Sequence, residues 1–167
     1  MQKQFKLFKY VKTTPPTKDA VYFNNSELIG VEYSPNSRNL LTITDSMTSK
    51  GFKQFFFTPR FLRNILLNSK KSEKIRINEI EFIIEPEFEV GTLLDAFYNK
   101  EDSIRSKRLS KSLLEFLSEN EAIKMSFYVK GTYPVTKINI YQSGLVHINN
   151  APNNLDWFVD YLKEVKP

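Results

Sequence analysis

Apolar positions along the chain switch between a spacing of two and a spacing of three to four, so strands and amphipathic helices are interleaved. Phe5 to Val11 reads as a strand, Pro15-Pro16 breaks it, and further strands are predicted near Val21 to Phe23, Leu28 to Tyr33, Asn39 to Thr44 and Phe52 to Phe57. Thr58 and Pro59 then have the chemistry of an N-cap and a first helical position, and Phe61, Leu62, Ile65 and Leu66 give the helix a buried stripe ending near Ser69. Lys70 to Lys74 is short, polar and charged, which marks a joint. Beyond it, Ile80 to Val90 places Phe82, Ile84, Pro86, Phe88 and Val90 on one side and Glu81, Ile83, Glu85, Glu87 and Glu89 on the other, with Pro86 arguing for an edge position or a strand break. From Thr92 to about Ser118 the period is helical, in two pieces separated at Glu101-Asp102-Ser103.

The C-terminal third is the most informative. Ile123 to Lys130 reads as a strand with Ile123, Met125, Phe127 and Val129 on the core side. In Lys137 to Asn149, a three-residue loop Gln142-Ser143-Gly144 with Gly144 left-handed puts Ile138, Ile140, Val146 and Ile148 on one side, whereas a two-residue loop scatters them. A final helix from about Asn153 to Val165 carries a stripe of Leu155, Phe158, Val159, Leu162 and Val165, with Trp157 as an anchor at its edge. The stretches from Ser37 to Lys71 and from Thr136 to Pro167 each read strand, turn, strand, proline-bearing helix start and amphipathic helix, a pattern-level repeat with negligible identity. The expected fold is therefore α+β, built from two pseudo-repeated antiparallel sheet-plus-helix units, residues 1–70 and 75–167, in one compact domain.

At 167 residues and 41% apolar content the chain can bury one core of ordinary size. Without a run of about 18 apolar residues, and with a charged start, it is expected to be soluble and intracellular, in cytoplasm or nucleus, with no membrane partner. The absence of cysteine removes disulfides, thiolate catalysis and sulfur-ligated zinc. The net charge of +5 favours polyanionic partners mildly. Basic residues gather at Lys3 to Lys12, at Lys70 to Arg76 and at Arg105 to Lys111, each also readable as a solvated face.

The run Ile140-Tyr141-Gln142-Ser143-Gly144-Leu145-Val146-His147-Ile148 resembles the aliphatic-aromatic-x-Ser-Gly hairpin of the TATA-binding protein family, and Ile123 to Pro167 follow that family's element order. The resemblance implies a saddle-shaped fold whose open sheet face sits on the DNA minor groove, with aromatics prying base steps apart. Under it Tyr141 matches the kinking aromatic, and His147 and Asn149 match groove-facing valine and threonine positions. Leu145 stands where a basic residue is usual, and the Asn39 to Thr44 region lacks the matching aromatic and Ser-Gly pair. The same unit serves as a substrate-binding module in some bacterial ribonucleases H, and divergent viral versions exist; a Lys- and Asn-rich chain with few glycines is compatible with a virus or phage.

Independently of the family, the face opposite the core carries Lys124, Ser126, Tyr128, Lys130, Lys137, Asn139, Tyr141, His147 and Asn149. Cations for phosphate, rings for stacking and amides for base edges are what nucleic acid needs, with DNA ahead of RNA. The same composition also suits the solvent face of a one-sided sheet, or a protein-binding face. The runner-up function is accordingly a protein-interaction subunit or inhibitor, docking through that face or through the acidic strand Glu81 to Glu89. Catalysis is not expected: His147 is the single histidine and has no readable carboxylate orienter, no Gly-rich phosphate loop or nucleophile elbow occurs, and no cofactor or metal is assigned. Glu85, Glu87 and Glu89 could offer oxygen ligands to a divalent ion, but nothing pairs them with the lysine or aspartate of a nuclease centre.

Overall fold

The computed structural model describes residues 2–10, 28–34, 39–132, 134–150 and 156–165; the Pro15-Pro16 break, the strand expected near Val21 to Phe23 and Leu155 lie outside the described residues. Seven strands, β1 (Lys3–Tyr10), β2 (Leu28–Glu32), β3 (Phe52–Gln54), β4 (Ile75–Phe82), β5 (Ala122–Val129), β6 (Thr136–Tyr141) and β7 (Leu145–Asn149), form one antiparallel sheet in the order β2-β1-β7-β6-β5-β4. The short β3 pairs with Phe8 to Tyr10 of β1, beyond the stretch Lys3 to Lys6 that pairs with β7. Among the described residues five helices accompany the sheet: α1 (Leu40–Ser49), α2 (Pro59–Lys71), α3 (Val90–Tyr98), α4 (Ile104–Glu119) and α5 (Asp156–Glu164). Strands from both sides of the charged joint after α2 enter the same sheet. No described helix is long and apolar enough to cross a membrane.

Alternation along the strands builds two cores on opposite faces. Directly paired residues in antiparallel strands share a face, so Phe5 and Leu7 join Val146, Ile148, Ile138, Ile140, Met125 and Phe127 on one side. On that side the stripes of α2, α3, α4 and α5 close over them, through residues such as Ile65, Phe97, Leu113 and Phe158. Phe8, one residue on from Leu7, points the other way, where it meets Ile29, Val31 and Phe52 under Ile43 and Met47 of α1. The helix α1 therefore covers the second face at the β2-β1-β3 end and leaves the β7-β6-β5-β4 end uncapped by that cluster.

Several expectations hold in detail. Thr58 caps α2, its hydroxyl accepting from the Phe61 N–H at 3.2 Å with Pro59 at the first helical position. Ser103 caps α4 in the same way, from Ser106 N–H at 3.1 Å, which is why the helical region divides there. On α5, Phe158, Leu162 and Val165 are buried, and Trp157 sits half-buried against Phe158.

Other expectations are corrected. The segment Asn39 to Thr44 is not a strand: Asn39 caps α1, its side chain accepting from Leu41 N–H at 3.0 Å, and Ile43 and Met47 share one helical face. The strand-turn-strand repeat between the two halves fails at this point. The expected acidic strand also begins and ends earlier. Pairing with β5 begins at Ile75, a bulge between Ile77 and Glu79 moves the core side to Ile80 and Phe82, and β4 ends there. Past it, Ile83, Ile84 and Phe88 are exposed along with Glu85, Glu87 and Glu89. A second irregularity opposite Glu81 and Phe82 turns Ile123 outwards, so Ala122 takes the core place expected for it. The free edge of β4 is blunted where the Ile77 N–H donates to the Tyr98 hydroxyl at 3.0 Å.

One polar side chain is enclosed against the usual rule. Lys6 is 2% exposed, donates to the Ser143 carbonyl in the hairpin loop, and lies 4.9 Å from the centre of the Phe56 ring. Burial lowers its pKa to about 8. The unfolded chain holds the proton more tightly than the folded one, so stability is expected to rise as pH increases from about 8 towards 10. The gain should be on the order of 1–2 kcal/mol across that window. Above it the buried phenols of Tyr33, Tyr98 and Tyr161, all held above their ordinary pKa by burial, act in the opposite direction. Urea denaturation of wild type and Lys6→Met at pH 7.5 and 9.5 checks this: the rise should be missing from the variant.

Candidate nucleic-acid interface

The hairpin has the loop length read from the sequence. Lys137 pairs with Asn149, Ile138 with Ile148, Asn139 with His147 and Ile140 with Val146, leaving Gln142, Ser143 and Gly144 as the loop. Gly144 has φ +79°, and its N–H closes the turn on the Tyr141 carbonyl at 2.8 Å. Ile138, Ile140, Val146 and Ile148 are fully buried on one side.

The opposite side is organised in cross-strand rows. At one end of the sheet Arg76, Tyr128, Lys137 and Asn149 stand side by side. The middle row is Glu79, Ser126, Asn139, His147 and Gln4, and the third begins Glu81, Lys124 and Tyr141. Eight of the nine expected site residues thus share one face, and Lys130 follows immediately after β5, its N–H bonded to the Lys74 carbonyl.

Sharing a face does not make these residues equivalent. Pairing of β4 with β5 brings Glu79 and Glu81 onto the same surface, which a strand-by-strand inspection of the sequence had left without carboxylates. Lys124 Nζ contacts the Glu81 carboxylate and lies 3.3 Å from Glu79, and Lys137 Nζ is 3.8 Å from Glu79. Burial pulls the Lys124 pKa down, but the two carboxylates outweigh it and hold the ammonium above its ordinary range. Burial pushes Glu79 up, and the bond from Lys124 with the charges of Lys124 and Lys137 outweighs that in turn. Lys124 is an internal counter-ion, not a free phosphate ligand.

The middle row is closed rather than open. Ser126 is fully buried, and Ser126 Oγ, Asn139 Oδ1 and Gln4 Oε1 have no hydrogen-bond partner among the described residues. His147 lies between two phenols, with Nε2 3.2 Å from the Tyr33 hydroxyl and Nδ1 3.4 Å from that of Tyr141. Burial lowers the His147 pKa, which favours the neutral ring, in which one nitrogen donates and the other accepts. Among the described residues no carboxylate orients it. Tyr141 itself is half-buried, its ring 4.8 Å from the imidazole.

The first row is the more open one, although Lys137 stays within 3.8 Å of Glu79. Tyr128 is 40% exposed, with Lys137 Nζ 5.9 Å from its ring centre. Arg76 is exposed and pairs only loosely with Asp95, at 3.6 Å, beside the Tyr98 ring. Lys130 is exposed and has no carboxylate partner among the described residues. Two cations, Arg76 and Lys137, therefore flank one solvent-facing ring from the neighbouring strands, with Lys130 two residues further along the chain, and Arg76 was the member the sequence reading had missed. Its alternation with Ile75 and Ile77 was the available signal. The described residues contain no cluster of three or more His, Asp or Glu side chains placed to hold a metal ion. No family model, curated protein or solved structure matches this chain.

Proposed function

We propose that the protein binds nucleic acid without catalysis, using the end of the sheet face that carries Arg76, Tyr128, Lys130 and Lys137. The observation that supports this best is the exposed Tyr128 ring flanked by cations, an arrangement that stacks on a base while neutralising its phosphates. Binding to DNA in transcription is what the resemblance to the TATA-binding protein family adds. The run from β4 through α3, α4, β5, β6 and β7 to α5 has the order strand, helical connection, antiparallel strands, helix that this resemblance requires. The helix α1 departs from it in the first half. In this reading His147 and Tyr141 support the sheet, and Lys124 serves to hold Glu79 and Glu81.

Binding to duplex DNA should then weaken with salt at a log–log slope near −3, about −0.9 for each of three neutralised phosphates. Lys130→Ala combined with Lys137→Ala should bring the slope to about −1, while Lys124→Ala leaves it unchanged. Fluorescence anisotropy across a salt series measures both. A slope near zero, or no binding at low salt, sinks the proposal.

A second reading has its own observation. The segment after β4 exposes Ile83 at 61%, Ile84 at 64% and Phe88 at 46%, interleaved with Glu85, Glu87 and Glu89, beside a hollow of about 460 Å³. Apolar anchors ringed by carboxylates suit a basic protein partner better than a phosphate backbone. Under this reading the protein is an interaction subunit or inhibitor.

A further inference from the structure

We propose that the groove between the C-terminal end of α2, the free edge of β4 and the α3–α4 corner binds a ligand with clustered phosphates, of the class of a nucleoside di- or triphosphate. It shares Arg76 and Lys130 with the surface discussed above while its other cations lie around the edge of the sheet, and the proposal does not depend on that face binding anything. Its volume is about 730 Å³, within the range of small-ligand sites.

The charge of this groove is its distinguishing property. Six cations line it, Lys70, Arg76, Lys100, Lys107, Lys111 and Lys130, against only Glu101 and Asp102. They come from separate parts of the chain: the end of α2, β4, the α3–α4 connection, the first half of α4 and the end of β5. Three are engaged by exposed carboxylates: Lys107 by Asp102 at 2.8 Å, Lys111 by Glu115 at 3.5 Å and Arg76 by Asp95 at 3.6 Å. Such solvent-exposed pairs are weak and can re-form around a stronger anion. Lys70, Lys100 and Lys130 have no carboxylate partner among the described residues, and Lys70 instead rests over the Phe97 ring at 5.0 Å.

Gathering six cations around one concavity costs folding energy through mutual repulsion, which a multiply charged anion relieves. A single carboxylate cannot answer three free ammonium groups, whereas adjacent phosphates offer an oxygen array to lysines acting as point charges. Neutral donors complete the lining. Ser72, Ser106 and Ser110 supply hydroxyls along the walls, while Ser69 Oγ, which donates to the Leu66 carbonyl, and the Tyr98 hydroxyl, 2.6 Å away, are bonded to each other where α2 meets α3. The same phosphate chemistry has two sources, a free nucleotide or the phosphorylated 5′ end of a strand.

Isothermal titration with inorganic tripolyphosphate at low salt tests the site. Of the four groove lysines that the sheet-face reading does not use, Lys70 and Lys100 are the two without a carboxylate partner among the described residues, so the variant Lys70→Gln/Lys100→Gln isolates the site. Binding should weaken at least tenfold in that variant and stay unchanged in Lys50→Gln/Lys53→Gln, whose exposed lysines lie at the end of α1 and on β3. No heat with wild type, or an equal loss in both variants, overturns the proposal. Three further ligands separate the sources: a nucleoside triphosphate, a 5′-triphosphorylated single-stranded oligonucleotide and its 5′-hydroxyl counterpart. Equal affinity for the first two assigns free nucleotide, and preference for the second assigns a strand end. If the 5′-hydroxyl strand binds as tightly as the triphosphorylated one and tripolyphosphate does not compete, the groove is not a clustered-phosphate site. Tyr128→Ala should leave tripolyphosphate binding unchanged, so failure on the sheet face and failure here read out separately.

Discussion

Replacing Gly144 with alanine is expected to destabilise the protein by about 2–6 kcal/mol, combining left-handed strain with a steric clash against main chain. At φ +79° an L side chain is strained in open space, and here the space is not open. A Cβ at this position would stand 1.9 Å from the Phe55 carbonyl oxygen, an atom of the backbone that no rotamer change can move. The loop is also a junction. The Gly144 carbonyl accepts from Leu7 N–H at 2.9 Å, the Gln142 carbonyl accepts from Phe57 N–H at 2.9 Å, and Gln142 N–H donates to the Ile123 carbonyl at 2.9 Å. Moving the loop to relieve the clash disturbs β1, the approach to α2 and the start of β5 together. Equilibrium urea unfolding of Gly144→Ala reads the loss. A midpoint within error of wild type means that the loop does not dock on Phe55 and that the register of the β6–β7 hairpin is wrong.

Elements whose signal is local were legible in the sequence. The hairpin announced itself through Ser-Gly at one loop length, α2 through Thr58-Pro59, and the α3–α4 division through Ser103. Where tertiary packing overrode local preference, the reading failed. Leu40 to Ser49 is rich in Thr and carries Ile43, residues that favour strands, and only the fit of Ile43 and Met47 over Phe8, Ile29 and Val31 makes it a helix. Its signals were present in Asn39 as cap and in Gly51, φ +89°, whose N–H returns to the Thr48 carbonyl at 3.0 Å at the C-terminal end. In β4 the alternation of Glu81 and Phe82 was read in the right register but followed past Phe82 into a segment that is not a strand, while the bulge at Asn78 broke the period of two and hid the strand's start at Ile75.

The surface chemistry was legible in composition and illegible in pairing. That one face would carry Lys124, Tyr128, Lys137, Tyr141 and His147 followed from strand alternation alone. That Glu79 and Glu81 would sit beside Lys124 depended on a contact spanning more than forty positions, which periodicity does not encode. The basic runs near Lys70 and Arg105 each read as solvated faces when taken separately. Their meeting in one groove with Lys130 is a consequence of α2, α4 and β5 converging, and it turns two weak charge signals into one concentrated one.

The neighbours Phe127 and Tyr128 on β5 separate fold from function most sharply. Phe127 is fully buried at the centre of the sheet, its ring 6.1 Å from that of Phe158 on α5, and Phe127→Ala should cost about 3–5 kcal/mol through lost transfer energy and the cavity left behind. Tyr128 faces solvent, so Tyr128→Ala should change stability by no more than about 0.5 kcal/mol. The same substitution should weaken nucleic-acid binding by about 1–3 kcal/mol, roughly five- to a hundredfold in Kd, because a stacking platform is gone. Tyr128→Phe keeps the ring and should retain most of the affinity, which distinguishes stacking from a role for the hydroxyl. Thermal melting and anisotropy on the three variants decide the matter: if Tyr128→Ala binds like wild type while Phe127→Ala unfolds, the fold assignment stands and the sheet face is not where nucleic acid lies. The exposed Ile83, Ile84 and Phe88 then become the surface to mutate next, with binding to a basic protein partner as the readout.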